Sequence, residues 1–328
     1  MISFLASPKR FSGEIAVIQR RAIESWLKIH PNAEVILYGT DAISPEGLDA
    51  ARITTVPLIV SSPSGAPHFD AIAEHASRNA KYDLQVYLNC DILLAPGVSE
   101  LLGQFELAKF LVVGQRINLA KGVTFDPSES DWMARIRQLA DANKAELYAV
   151  SGVDYFAFPR GMWAGLAPVT IGRGGYDGAL VAYCLWNAIP VIDATFELFA
   201  VHQYHGYGHI VGGAAAAHQG KEAQLNYALH GTKRSTPTIA DADMVLLDGK
   251  ILREKCRGDK LREIELLLRY RYKLKAISLF VRALWRVLQV VGSPRQKELS
   301  LEMILSHREN RQSPKGRCAT SALKSQSN

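Results

Sequence analysis

Cysteine is scarce in this sequence, and its spacing excludes the sites that cysteine usually builds. The chain of 328 residues has four cysteines, and no two stand in the close spacing of a zinc or redox pair. Cys90 and Cys184 lie in apolar stretches, where a free cysteine behaves as a small hydrophobic residue. We therefore expect a reducing compartment and a fold held by its apolar core, because 48% of the residues are hydrophobic.

Long apolar runs are missing as well. No uncharged stretch approaches the roughly 20 residues that a membrane-spanning helix needs. Residues 1–6 lack the basic lead and the apolar length that are typical of a signal peptide. These two absences predict a cytoplasmic protein without a membrane span.

Acidic residues are few in the last quarter of the chain. Residues 250–328 contain 19 Lys and Arg against 7 Asp and Glu, whereas residues 1–249 contain 19 against 25. The surplus of 12 and the deficit of 6 give the net charge of +6. The positive charge of the tail can attract an anionic partner, either lipid or nucleic acid.

Short apolar runs and helical patterns alternate over the first 200 residues, which predicts an α/β domain with a mainly parallel central sheet flanked by helices. We predict strands at 2–6, 34–38, 53–56, 84–88, 110–113, 155–158 and 191–193, and helices at 14–29, 69–79, 98–105, 131–145 and 177–187. Residues 203–236 are predicted to form loops, and 244–251 a last strand or hairpin. Helical periodicity returns at 259–291, and the polar residues 306–328 are predicted to be disordered.

The most informative motif is Asn89-Cys90-Asp91, which follows the apolar strand predicted at 84–88. Open α/β sheets bind ligands at the carboxyl ends of their strands. A carboxylate there can hold Mg²⁺ or Mn²⁺ against the two phosphates of a nucleotide. The simpler interpretation is that Asp91 only caps the following turn.

A second motif, Gly172-Arg173-Gly174-Gly175-Tyr176-Asp177, opens a predicted helix. The glycines permit a tight turn, which places Asp177 near the helix N-terminus. The carboxylate of Asp177 can accept a proton from an attacking hydroxyl, or it can serve only as a helix cap.

Histidine and aromatic residues alternate at 202–209, where His202, His205 and His209 lie within eight residues. Histidines at this spacing can supply a metal ligand, and a zinc site is the alternative. Two weaker signals lie elsewhere. Asp154 opens a predicted strand and can bind hydroxyls, and Arg116 can place a cation near phosphate.

Together these motifs resemble the GT-A fold of nucleotide-diphospho-sugar transferases, and within it a group of bacterial glycosyltransferase-like proteins. They cover roughly residues 1–210 in the order that this fold needs. The motifs are FLASPKRFSG after the first strand, Asn89-Cys90-Asp91, Gly152-Val153-Asp154-Tyr155, Gly172–Asp177 and His202–His209.

The resemblance implies a donor site. Asp91 matches the last acid of the DxD motif and would bind Mn²⁺ or Mg²⁺, while Asn89 occupies the first position with one fewer negative charge. A histidine of residues 202–209 matches a late metal ligand, and the candidates are His202 and His205. The remaining residues expected to contact the donor are Ser7, Pro8, Lys9 and Arg116.

The resemblance also implies an acceptor site and a reaction. Asp177 matches the catalytic base of an inverting enzyme, and the candidate acceptor-binding residues are Asp154, Tyr155 and Tyr176. The implied reaction moves a hexosyl or deoxyhexosyl group from a nucleotide-diphosphate sugar to a glycan or a lipid-linked acceptor. A retaining reaction would give Asp177 another role.

The basic tail lies outside the resemblance, which implies a catalytic domain over residues 1–250 and leaves a helical extension over 251–305. One face of its predicted helix is apolar and the other is basic. The apolar face holds Ile277, Phe280, Val281, Leu284, Leu288 and Val291, and the basic residues are Arg271, Lys275, Arg282 and Arg286. Such a helix can lie at the inner face of an anionic membrane, or it can dock on the catalytic domain or a second subunit. Nucleic acid is not expected as a partner, because no recognition module accompanies the charge.

Two other functions remain open at this stage. One is another enzyme with a metal and diphosphate site, either a phosphoesterase or a nucleotidyltransferase, although the first loop is only a partial match to the phosphate-binding loop of a nucleotidyltransferase. The other is a protein that binds a nucleotide sugar without catalysis.

Overall fold

The structure is a computed structural model, and it describes residues 1–105, 107–206, 213–230, 236–253, 260–291 and 299–312. The strands are β1 Ser3–Ala6, β2 Glu34–Tyr38, β3 Ile53–Val56, β4 Leu84–Leu88, β5 Ile92–Leu94, β6 Leu111–Val113, β7 Ile117–Leu119, β8 Ala145–Leu147, β9 Tyr155–Pro159, β10 Val191–Asp193, β11 Ala200–His202, β12 Met244–Leu247 and β13 Lys250–Arg253. The helices are α1 Gly13–Ile29, α2 Phe69–Asn79, α3 Val98–Leu102, α4 Trp132–Asp141, α5 Tyr176–Trp186, α6 Gly213–Gln219, α7 Lys221–His230, α8 Lys260–Leu266, α9 Lys275–Val291 and α10 Leu301–Gln312.

A central nine-stranded sheet has the order β13-β12-β10-β6-β9-β4-β1-β2-β3 within the described residues. All its strands run in one direction except β9 and β13, which are antiparallel to their neighbours. Strands such as β1 are buried along their whole length, because helices cover both faces of the sheet. The predicted α/β fold with a mainly parallel sheet flanked by helices is confirmed.

The direction of β9 positions the site. Tyr155 at the start of β9 pairs with Leu88 at the end of β4. The segment that precedes β9 therefore lies beside the segment that follows β4, at the edge where parallel strands present ligand-binding groups.

A second sheet, of order β5-β11-β7-β8, was not predicted from the sequence. Each of its strands has three residues, which is too short for a period of two to be recognised. Helix α1 anchors this sheet to the central one, because the Trp26 indole N–H donates to the Ile92 carbonyl at 2.9 Å.

Part of the prediction for residues 203–236 is wrong. The described part of this segment contains α6 and α7 rather than loops only, and residues 207–212 and 231–235 lie outside the described residues. Helix α7 has no clear apolar stripe, and a polar side chain attaches it to the neighbouring segment. The Asn226 side chain accepts from the Thr170 N–H and donates to the Thr170 carbonyl, both at 2.9 Å.

The predicted domain boundaries also need correction. The boundary after residue 250 falls inside β13, which pairs with β12 in the central sheet. The predicted disordered tail begins within α10, where Leu305 is fully buried and Glu309 pairs with Arg137 at 2.8 Å. Residues 313–328 lie outside the described residues. Among the helices that the structure describes, none combines the length and the apolar character needed to cross a membrane.

Candidate metal and nucleotide-sugar site

The turn Asn89-Cys90-Asp91 joins the two sheets, since β4 ends at Leu88 and β5 begins at Ile92. Strand β5 pairs antiparallel with β11, and this register places His202 opposite Ile92, next to Asp91. The Gln203 N–H donates to the Asp91 carbonyl at 3.1 Å, which fixes the segment after β11 against the turn.

Asp91, His202 and His205 form a cluster in which one ligand atom from each residue lies within 4.8 Å of the others. His205 Nε2 is 2.7 Å from Asp91 Oδ2. The fold therefore brings together the three side chains that the resemblance suggested as metal ligands. His209, the third histidine of the motif, lies outside the described residues.

The electrostatics of the cluster favour a charged Asp91 carboxylate and a neutral His202 ring, while the hydrogen bond with Asp91 raises the pKa of His205. Burial alone would raise the pKa of Asp91, but the hydrogen bond from His205 and the nearby His202 and Lys9 hold that pKa well below its usual range. Burial lowers the pKa of His202, so that its ring is neutral and can bind a metal near neutral pH.

The cluster fits a divalent cation. Asp91 Oδ1 is buried and has no hydrogen-bond partner among the described residues, so it offers a free ligand atom. One carboxylate and two imidazoles form a mixed oxygen and nitrogen donor set, which suits a transition metal such as Mn²⁺ better than Mg²⁺.

Lys9 brings a positive charge to the same cluster. Its Nζ lies 3.3 Å from His205 Nε2 and 3.7 Å from Asp91 Oδ2. The loop that carries it is held by Gln19, whose side chain accepts from the Lys9 N–H at 2.6 Å and donates to the Lys9 carbonyl at 2.8 Å. Of the other predicted donor residues, Pro8 is buried and Ser7 lies near Gly39.

The side chain of Asn89, which the resemblance placed in the donor site, bonds to residues outside the cluster. Its Nδ2 donates to Asp154 Oδ1 at 2.6 Å, and its Oδ1 accepts from the Tyr176 hydroxyl at 3.3 Å. Asn89 therefore ties the turn to the start of β9 and to helix α5, and both of its polar ends are used.

Arg116, predicted to bind the donor, pairs with Asp154, predicted to bind the acceptor. Its guanidinium donates to Asp154 Oδ2 and to Asn118 Oδ1, the latter at 2.9 Å, and lies 4.2 Å from the centre of the Tyr148 ring. The side chains of this pair are largely buried, so each neutralises the other in a poorly solvated place.

Asp177 lies in the first turn of α5, close enough to Asp154 for their charges to interact. Burial, reinforced by the negative charge of Asp154, raises the pKa of Asp177 to about 6, although the Gly178 N–H donates to its carboxylate at 2.8 Å. A carboxylate with this pKa is suited to accept a proton near neutral pH.

The two tyrosines predicted to bind acceptor are buried. Tyr155 belongs to the core on the face of the sheet that also holds Ala157, and its hydroxyl has no partner among the described residues. Tyr176 packs on Phe156 and bonds to Asn89. Alternate residues of a strand face opposite sides, so Tyr155 cannot point to the same side as Phe156.

Three residues that support the site were not predicted from the sequence. Gln19 holds the Lys9 loop, Gln203 bonds to the Ile18 carbonyl at 2.9 Å, and Tyr148 stacks on Arg116. Gln19 could have been identified from the sequence, because a polar residue on the buried face of α1 needs a hydrogen-bond partner.

No protein-family model matches the chain, and no curated protein matches it. Several solved structures are similar to the chain. The chain is similar to TarS of S. aureus in complex with UDP-GlcNAc, with 11% identity and a TM-score of 0.46, over 82% of this chain and 71% of that one. It is similar to GalNAc-T7 with UDP, GalNAc and Mn²⁺, with 13% identity and a TM-score of 0.41, over 70% and 47%.

A third similar structure is a protein from Desulfovibrio desulfuricans G20 that is assigned as a nucleotide-diphospho-sugar transferase. The identity is 12% and the TM-score 0.38, over 70% of this chain and 96% of that one. All three TM-scores lie below 0.5, so the function proposed below rests on the residues of the site.

Proposed function

We propose that this protein is a glycosyltransferase that moves a sugar from a nucleotide-diphosphate donor to a hydroxyl of a glycan or lipid-linked acceptor. The observation that carries the proposal is the cluster of Asp91, His202 and His205 at the carboxyl end of β4. A divalent cation, Mn²⁺ or Mg²⁺, held by these three side chains would neutralise the departing diphosphate. The similar structures that contain UDP or a UDP-sugar are consistent with this donor class.

The protein's own residues supply the rest of the proposed reaction. Lys9 places a positive charge next to the cluster, where the diphosphate would lie. Asp177 accepts the proton of the attacking hydroxyl, whose oxygen forms the new bond to the anomeric carbon as the bond to the diphosphate breaks. Asn89 and the pair of Arg116 with Asp154 hold the metal-binding turn and the start of β9 in place.

The test is a screen of nucleotide sugars for thermal stabilisation, with Mn²⁺, Mg²⁺, Zn²⁺ or no metal. A ligand that binds only the folded state raises the melting temperature by mass action. We expect metal-dependent stabilisation by one donor class, followed by release of the nucleoside diphosphate when an acceptor hydroxyl is present. Asp91→Asn should abolish both effects, while the control Asp41→Asn, at an exposed carboxylate, should retain them.

Other outcomes identify the alternatives. Release of pyrophosphate instead of a nucleoside diphosphate would indicate a nucleotidyltransferase. Stabilisation without turnover for any acceptor would indicate a binding protein. No stabilisation of the folded protein by any nucleotide would contradict the proposal.

A further inference from the structure

Helices α8 and α9 pack against each other through polar side chains, which is the reverse of an ordinary helix pair. Glu265, Arg269 and Arg282 are all buried. Glu265 Oε1 lies 3.5 Å from Arg269 and 3.7 Å from Arg282. Ser278, one turn before Arg282, is fully buried as well. The sequence placed Arg282 on a basic outer face, and the structure places it inside.

The outer face of α9 is apolar. Phe280 is 71% exposed and Ile277 is 51% exposed. The spacing of 277, 280, 284 and 287 puts these residues on one side of α9, opposite to Ser278 and Arg282. The outer apolar face of α9 consists of Ile277, Phe280, Leu284 and Val287.

A surface of this kind marks a binding site, because soluble monomers rarely leave several large apolar side chains together in water. Docking of this face on the catalytic domain, one of the alternatives given for this helix, is not found in the described part of the chain. The catalytic domain instead contacts the other side of the pair: Leu266 packs on Ala182 and Leu185 of α5, and Lys273 Nζ lies 3.2 Å from the centre of the Trp186 ring.

The charge of residues 260–291 indicates which class of partner binds the outer apolar face. Residues 260–291 contain eight Lys and Arg and two Asp and Glu, and of these Arg269, Arg282 and Glu265 are buried together. Two copies of the chain that met through this face would bring the remaining surplus of five positive charges on each side together. A nucleic acid would match the charge but offers little apolar surface. An anionic bilayer matches both, since acyl chains accept the apolar side chains and headgroups attract the basic ones.

We infer that the outer apolar face of α9 inserts into the surface of an anionic phospholipid bilayer and holds the protein there as a peripheral membrane protein. The buried group of Glu265, Arg269 and Arg282 holds α9 against α8 while the apolar face of α9 contacts the lipid. Helix α5 joins this surface to the site: it contacts the pair near Trp186 and carries Asp177 in its first turn, about 14 Å away at 1.5 Å per residue.

Co-flotation of the full chain with vesicles tests the inference. We expect the protein to float with vesicles of phosphatidylcholine and phosphatidylglycerol, and to bind phosphatidylcholine alone much less. Ile277→Ser combined with Phe280→Ser should weaken binding at least about tenfold, which corresponds to about 1.4 kcal/mol. High salt should weaken binding of the wild type but not abolish it, because salt screens the charges and leaves the apolar contact.

A matched control is Leu58→Ser combined with Val60→Ser, two apolar residues of the catalytic domain that are also well exposed. This control should float like the wild type. Melting temperatures show whether each variant is folded, and all four positions are exposed, so we expect little change. Absence of flotation by folded wild type, or equal flotation of the Ile277/Phe280 variant, would overturn the inference. A dimer in solution that the same variant dissociates, without vesicle binding, would assign the face to a second copy.

Discussion

His205 Nε2 lies 2.7 Å from Asp91 Oδ2, although 114 positions separate the two residues. Their proximity depends on the second sheet, in which β5 directly follows Asp91 and β11 ends at His202. The candidate metal site is therefore shared between two segments. Because neither segment contains all three candidate ligands, each histidine can be replaced separately while the Asp91 carboxylate is left unchanged.

Removal of either histidine should weaken metal binding. We expect His202→Ala and His205→Ala each to raise the Kd for Mn²⁺ at least tenfold, because even the loss of an outer-shell partner of a metal ligand costs about 10- to 100-fold. Isothermal titration calorimetry measures this directly. His307→Ala is the control, since His307 pairs with Asp248 far from the cluster in sequence. An unchanged Kd in both variants would exclude the cluster as the metal site.

The proposed transferase activity should fall in mild acid because of Asp177. Burial raises the pKa of this carboxyl group to about 6, so the protonated form, which cannot accept a proton, predominates below that pH. We expect kcat to fall about tenfold for each pH unit below 6 and to level off above 7. Asp177→Asn should lower kcat by about 10²- to 10⁴-fold at pH 7.5 while donor-dependent stabilisation persists. Full turnover in Asp177→Asn would show that another group is the base.

The pair of Arg116 and Asp154 should contribute strongly to stability. Arg116→Ala leaves the Asp154 carboxylate buried without its cation, and breaking a buried pair costs about 3–5 kcal/mol. The control is Arg78→Ala, which removes an exposed pair with Glu74 worth about 0–1 kcal/mol. Urea denaturation gives both free energies of unfolding. Equal losses in the two variants would mean that Asp154 is solvated.

Tyr155→Phe should leave activity unchanged, although the sequence suggested an acceptor-binding role for Tyr155. The ring is in the core, and its hydroxyl has no partner among the described residues. Deleting an unpaired buried hydroxyl is expected to be neutral or stabilising. Acceptor KM and the melting temperature are the two measurements. A several-fold higher acceptor KM in Tyr155→Phe would support the acceptor-binding role that the sequence suggested for Tyr155.

Much of the central sheet could be predicted from local pattern. β2, β3, α2 and β4 begin and end at the predicted residues, because each is a run of consistent periodicity between turn residues. The second sheet could not be predicted in this way, since strands of three residues carry almost no periodic signal. Helix α7 was missed because its buried contacts are made by Asn226 and not by an apolar stripe.

The sequence by itself determined the alternation of strands and helices and the carboxylate at the end of β4, because both depend on neighbours along the chain. The sequence also showed that the tail is rich in apolar and basic residues. Only the tertiary structure decided that His202 and His205 meet Asp91, that Arg116 neutralises Asp154, and that Tyr155 faces the core. Those contacts depend on which strands pair and in which register, and the free energy that selects a register comes from packing between distant segments.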